Sequence, residues 1–285
     1  IKVALEVLKN SAPKVLLIEK PLCQPALEGC EELLTLARSA GTIVTVGYNH
    51  TLTQNTKKAE EILKKGIIGE PLTISAAFRE HWGGIFSAHS WLNGPKDSYL
   101  GFYERGGGAS GEHSHAINIW QHFAHLLDLG RIVEVSAMLD VVDNEQVKYD
   151  RICQLSVKTQ KGLVGDIVQD VITEPTQKFL RVQGTEGALE WHVNWEQNCD
   201  AVICSDTQGN RNVERISKKR ADDFTGEIKH IRDLAEDKVF ESPISLERGL
   251  ETMSVVSAAH KSHELKKTVT VQYSSAENSL KTIAV

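Results

Sequence analysis

The chain has 285 residues, 41% of them hydrophobic and 25% charged, enough to bury a substantial apolar core and to build one large or two modest domains. A net charge of −6 and a pI near 6.0 exclude nucleic acid and acidic membrane surfaces as the main partner, since those need clustered Lys and Arg, and leave a small polar metabolite as the expected one. Five cysteines, odd in number and without a CxxC pair, point to a reducing cytoplasm rather than a disulfide framework or zinc ribbon, and no apolar run reaches the roughly 18 residues of a membrane helix.

The opening, IKVALEVLKN, has Val3, Leu5, Val7 and Leu8 in a helical pattern already under way at Ile1, so a preceding segment is expected. A helix to about Asn10, a strand at 15–18, a helix at 27–40 stopped by Gly41 and a β-branched strand at 42–47 follow. Strands separated by helices imply parallel pairing with right-handed crossovers. The first strand runs into Glu19-Lys20-Pro21 and the second into Tyr48-Asn49. Ligands collect at such strand ends; a plain loop exit with a surface Lys, and an Asx-type turn at Asn49, account for the same residues.

After residue 50 the pattern changes. An amphipathic helix, TQNTKKAEEILKKG, leads into a strand, LTISAAFREHW, whose end carries Arg79, Glu80, His81 and Trp82. Residues 83–111, rich in Gly, Ser and aromatics, read as a long loop, and 114–128 as a helix. Seven extended segments with short turns follow, at 132–142, 149–159, 163–173, 178–184, 187–193, 199–205 and 212–217, and predict an antiparallel sheet. Two amphipathic helices come next, with His260 and His263 placed on the surface of the second, and then KTVTVQY as a last edge strand. Trp191 is assigned to sheet packing. The plan is an α/β piece over 1–50 and a second domain over 51–285.

Polar chemistry concentrates in RGGGASGEHSHAINIWQHF, residues 105–123. Consecutive glycines permit tight turns and close approach to a ligand. A helix starting near Ser110 puts Glu112 and His115 on one face, with Asn118 continuing it and His113 pointing elsewhere. A carboxylate beside an imidazole suits a general base; a helix-start histidine with a first-turn acid explains the pair equally. A metal site of Glu112, His113 and His115 ranks last, because His-x-His on a helix splays its rings, and none is expected.

Four features in order, EKP at a strand end, GYN one βα unit later, GGGxxxExxHxIN, and F..EI.H...L.......SPIS.E.GL....V..AAHKS, resemble the family of glucose–fructose oxidoreductase and inositol dehydrogenase, the Gfo/Idh/MocA oxidoreductases. The likeness covers nearly the whole chain. It implies the C-terminal remnant of a doubly wound Rossmann sheet, then an α+β domain with a large, mainly antiparallel open sheet covered by helices on one face. It also implies NAD or NADP as cofactor and a homodimer or homotetramer formed through that sheet. Lys20 would lie between nicotinamide and substrate, with Glu19, Pro21, Tyr48 and Asn49 as further cofactor contacts. His115 would exchange the hydroxyl proton beside Glu112, which stands where the family usually has Asp. Arg79, His81, Trp82 and Asn118 would contact the substrate, Asn118 replacing a frequent Asp.

The implied reaction is hydride transfer between nicotinamide and a hydroxyl or keto carbon of a sugar, sugar nucleotide or cyclitol. A glycine-rich phosphate turn with an acid or arginine about twenty residues on does not occur here; Gly106–Gly108 follow a loop, not a first strand. The expectation is therefore that only the last βα units of the cofactor domain are present, that roughly a hundred residues precede them, and that this stretch cannot bind NAD tightly alone. The alternative is a non-catalytic sugar-binding or assembly protein without its cofactor half.

Overall fold

The structure, a computed structural model, describes residues 1–273 and 280–284. Helix α1 (Lys2–Asn10), strand β1 (Val15–Ile18), α2 (Cys30–Ala40) and β2 (Ile43–Val46) form the opening. A 3-10 turn at Asn49–Leu52 leads to α3 (Gln54–Leu63) and β3 (Pro71–Arg79). The stretch expected as loop holds α4 (Gly83–Ala88), short 3-10 turns and α5 (Gly108–Glu112), followed by α6 (His115–Leu126). Seven strands then run consecutively: β4 (Ile132–Asp143), β5 (Lys148–Thr159), β6 (Val164–Asp170), β7 (Gln177–Gly184), β8 (Gly187–Glu196), β9 (Cys199–Asp206) and β10 (Arg211–Ser217). Helices α7 (Arg220–Ala235) and α8 (Leu246–Leu265) and strands β11 (Val269–Tyr273) and β12 (Leu280–Ala284) complete the order.

Strands β1 and β2 pair in parallel from Val15↔Ile43 to Ile18↔Val46. Helix α2 ends because Gly41 adopts the left-handed conformation (φ 65°) that glycine reaches without a Cβ penalty, and its N–H caps the carbonyls of Ala37 and Arg38. Strand β2 is buried at Val44 and Val46, whereas β1 is only half-buried along its length. The small sheet is tied to the rest through β2: the Val46 N–H donates to the Ile244 carbonyl at 2.8 Å. Helix α8 crosses β2 at Gly249, where a Cβ would lie 2.5 Å from Val46 Cγ2.

The large sheet has the order β10-β9-β8-β7-β3-β6-β5-β4-β11-β12. Every pairing is antiparallel except β3–β6. The seven predicted segments all appear, but β11 is not the edge: it lies between β4 and β12, a strand the sequence reading did not anticipate. Helices α3, α6 and α8 cover one face. The core lies between them and the sheet, with Trp120, Trp191, Phe78 and Phe123 among its largest buried side chains. Both tryptophans keep their indole N–H satisfied, Trp120 on the Ile74 carbonyl (2.8 Å) and Trp191 on Thr56 Oγ1 (2.9 Å), as burial of a donor requires. The opposite face alternates to polar residues such as Ser75 and Asp166, with Met138 and Val164 exposed among them. One apolar cluster runs without interruption from Ala4 to Val271.

Candidate active site

The carboxyl ends of β1, β2 and β3 open toward α5 and α6, and the Gly106–Gly108 run explains how those short helices come so close. A Cβ on Gly107 would sit 2.2 Å from the Tyr99 carbonyl, and one on Gly108 (φ 79°) only 2.0 Å from Asp150 Oδ1. The close approach these glycines permit is therefore to the protein's own backbone and to Asp150, not to a ligand. Asp150 is fully buried and accepts the Ser110 N–H (2.7 Å) and the Ser110 hydroxyl (3.0 Å), which pins the start of α5. His260, expected at the surface, instead faces inward: its Nε2 is 2.9 Å from Ser110 Oγ and its ring stacks on Tyr103. Burial pushes its imidazole down to about 4.

Burial pushes the Asp150 carboxyl up to about 7, against the pull of the Ser110 hydrogen bonds. A raised folded pKa adds stability that is complete below the unfolded value near 4 and gone once pH passes the folded one. The unfolding free energy of wild type minus Asp150→Asn should therefore be larger at pH 5 than at pH 8, by roughly 3 kcal/mol at most. Urea unfolding at both pH values measures it; an equal difference would show that Asp150 does not titrate in this window.

Lys20, at the exit of β1, reaches across to the end of α5. Its Nζ lies 2.8 Å from Glu112 Oε2 and donates to the Glu112 carbonyl at 3.0 Å, with both side chains about 15% exposed. Tyr99 donates its hydroxyl to the same carboxylate oxygen (3.2 Å), and burial together with the Glu112 charge pushes that phenol up. Glu112 is thus the anchor of Lys20 and not the partner of His115. The expected single helix face does not exist, because α5 stops at Glu112 and α6 starts at His115. His113 and Ser114 form the break, and the Ser114 hydroxyl donates to the Gly111 carbonyl. The break turns the carboxylate one way and the imidazole another.

Behind Lys20 three histidines gather. The His115 ring stands edge-on to His50 (4.8 Å between centroids) and Tyr48 (5.5 Å) and lies parallel to Phe78 (6.5 Å). Burial, reinforced by neighbouring imidazoles and by Lys20 and Lys178, holds His50 and His115 well below the ordinary histidine value. His113 is pushed down to about 3, chiefly by burial and then by Lys178. All three are neutral at pH 7. Among the described residues, His50 Nδ1, His113 Nε2 and His115 Nδ1 are buried without a hydrogen-bond partner. Lys178 completes the group through an ion pair with Glu80.

The other expected contacts are dispersed. Tyr48 is fully buried, its hydroxyl 3.3 Å from Ser114 Oγ, so it supports His115 and offers no surface to a cofactor. Asn49 is half-buried in the 3-10 turn, Glu19 is exposed beside Gly47, and Pro21 packs against Gly106. Asn118 does not face the cleft: it is 4% exposed and donates to Thr252 Oγ1 (3.1 Å) between α6 and α8. Trp82 is likewise packing, in a satellite cluster with Leu100, Ala109 and Val171 and against Tyr149. Arg79 pairs with Asp170 (3.8 Å), and His81 with Glu174 (3.2 Å) near solvent. The sequence reading passed over His50 and Lys178 as site residues and turned His113 away, while Glu80, named at the strand end, is held by Lys178. His50 directly follows the Tyr48-Asn49 turn and so had a signal; Lys178 had none, since only the β3–β7 register sets it opposite Phe78. No group of three or more potential metal ligands occurs among the described residues.

A family model for the GFO/IDH/MocA C-terminal domain matches residues 56–190. A comparison with curated proteins finds no match. Among solved structures, the chain is similar to an NAD-binding oxidoreductase from Klebsiella pneumoniae (21% identity, 96% of this chain and 77% of that one, TM-score 0.74). It is also similar to a levoglucosan dehydrogenase in complex with NADH and levoglucosan (16%, 96% and 77%, TM-score 0.78). An aldose–aldose oxidoreductase from Caulobacter crescentus aligns over 95% of this chain and 75% of that one at 16% identity and TM-score 0.74. The chain thus shares the fold of these oxidoreductase structures, and its residues 56–190 match the GFO/IDH/MocA C-terminal domain.

Proposed function

We propose that the protein is an NAD- or NADP-dependent oxidoreductase acting on a hydroxyl-bearing carbon of a sugar, sugar nucleotide or cyclitol. The observation that carries this reading is the convergence, from positions 95 residues apart in the chain, of the Lys20 ammonium and a half-buried, neutral His115, near enough for the Lys20 charge to depress the imidazole. Removing hydride from an alcohol carbon requires a base for the hydroxyl proton and a cation for the developing alkoxide. A neutral imidazole supplies the first and Lys20, steered by Glu112, the second. The nicotinamide, when bound, takes or returns the hydride. Glu19, Lys20 and Pro21 at the mouth of β1 would hold its reactive end; residues 1–50 contain no glycine-rich turn to cradle the pyrophosphate.

The similarity to a levoglucosan dehydrogenase in complex with NADH and levoglucosan supports the same reading. The second reading is a sugar-binding or assembly protein without catalysis. We assign residues 1–50 to the cofactor side and 51–285 to the substrate side, the open sheet face to a homodimer or homotetramer, and the protein to the cytoplasm. Reduction of NAD and NADP in the presence of a panel of aldoses, sugar nucleotides and cyclitols tests the proposal. Turnover with any of them is expected; panel-wide silence with retained sugar binding would favour the second reading.

A further inference from the structure

At the end of α6 farthest from His115, the residues just ahead of β4, the end of β5 and the first turns of α8 enclose an open cavity of about 440 Å³, within the size range of small-molecule sites. His115 and His125 both lie on α6, and at about 1.5 Å per residue the helix sets the cavity roughly 15 Å from the cleft described above.

The cavity is organised by Glu251, whose side chain is 4% exposed. Arg131 Nε lies 2.8 Å from one carboxylate oxygen, and the other receives His125 Nε2 at 2.7 Å and Arg248 Nη1 at 3.4 Å. Two guanidinium groups therefore share one carboxylate. Glu247, the other acid on the wall, is 3.8 Å from Arg38. Among the described residues of the wall, one guanidinium charge has no carboxylate of its own. Burial, joined by the Arg131 charge, lowers the Arg248 pKa even against the pull of Glu251, and a guanidinium stays protonated regardless.

What the cluster still offers is donors. Arg131 meets Glu251 through Nε and keeps both Nη groups; Arg248 meets it through Nη1 and keeps Nε and Nη2. These side chains are 41% and 35% exposed, within reach of a ligand. Arg131 is fixed further by lying over the Tyr273 ring, 5.0 Å from its centroid. Gln160 adds a third donor: its Oε1 accepts the Arg131 backbone N–H at 3.0 Å, so its amide NH2 is the end left to donate. The donors come from three separate elements and so from different directions. A carboxylate presents two oxygens in one plane, whereas a phosphate monoester presents three around a tetrahedron and carries up to two charges.

We propose that this cavity binds a small phosphorylated metabolite, its phosphate held by Arg131, Arg248 and Gln160. The site goes beyond the oxidoreductase reading and does not depend on it.

The test is calorimetric titration of the full chain with inorganic phosphate and with malonate at equal ionic strength. Phosphate should bind saturably at one site, and malonate at least about tenfold more weakly. Arg248→Leu should weaken phosphate by about tenfold or more, the loss of a charge-assisted hydrogen bond. In the wild type labelled with 15N-histidine, phosphate should shift the His125 resonances and leave those of His50 and His115 in place. Absence of saturable phosphate binding, equal affinity in Arg248→Leu, malonate matching phosphate, or shifts at His50 and His115 with none at His125 would overturn the proposal. If Arg248→Leu does not fold, Gln160→Ala, at an exposed position, should weaken phosphate by about threefold or more, and an unchanged affinity there would count against the site in the same way.

Discussion

Replacing Lys20 with Met should lower the turnover of hydride transfer by roughly a hundred- to a thousandfold, the range for loss of a single group that stabilises developing negative charge. Nucleotide affinity should remain measurable by fluorescence titration, because the ammonium is one contact among several. The same substitution has a second readout. Lys20 is one of the charges that depress His115, so its removal lets that imidazole rise toward the ordinary value. The acid-side limb of the kcat/KM profile should then move to higher pH in whatever activity survives. Glu112 keeps the Tyr99 hydroxyl as a donor, which limits the structural damage from losing its cation. Unchanged turnover would remove Lys20 from the mechanism.

His115→Asn should cost about a hundred- to ten-thousandfold in kcat/KM, the usual contribution of a positioned general base. The sign of its pH dependence follows from burial. The active form is the neutral ring, and the folded site keeps the pKa well below 6.5, so wild-type activity should hold a plateau through neutral and mildly acidic pH. It should decline only as pH falls through the depressed value. Asparagine has no titrating group, so the decline should vanish along with most of the rate. A pH profile in His115→Asn identical to that of wild type would assign the base elsewhere, with His50 the nearest alternative at 4.8 Å between ring centroids.

The outcome for Glu112 marks how far the site was legible in the chain. Residue type and neighbourhood singled out Lys20, Glu112 and His115, and the structure brings all three to one region. Their pairing did not follow. A three-residue spacing implies a shared face only if the helix is continuous, and the break at His113 and Ser114 reverses the consequence. His113 changed from a residue directed away into a buried one beside Glu80. Asn118 and Trp82 went the other way, drawn into packing against α8 and Tyr149. In each case burial and partner choice depend on what the distant chain supplies at that point.

Local patterns were enough to specify the seven consecutive strands, the helices α2, α6, α7 and α8, and the stop at Gly41, because periodicity, capping and turn chemistry act over a few residues. They also sufficed for the predominance of antiparallel pairing. Tertiary structure alone decided the strand order, with β3 parallel to β6 at the centre and β12 outside β11, and the meeting of Lys178 with Glu80 across the β3–β7 register. It alone decided the neutral state of the three histidines, since desolvation arises from the packed surroundings of a ring and not from its neighbours in the chain.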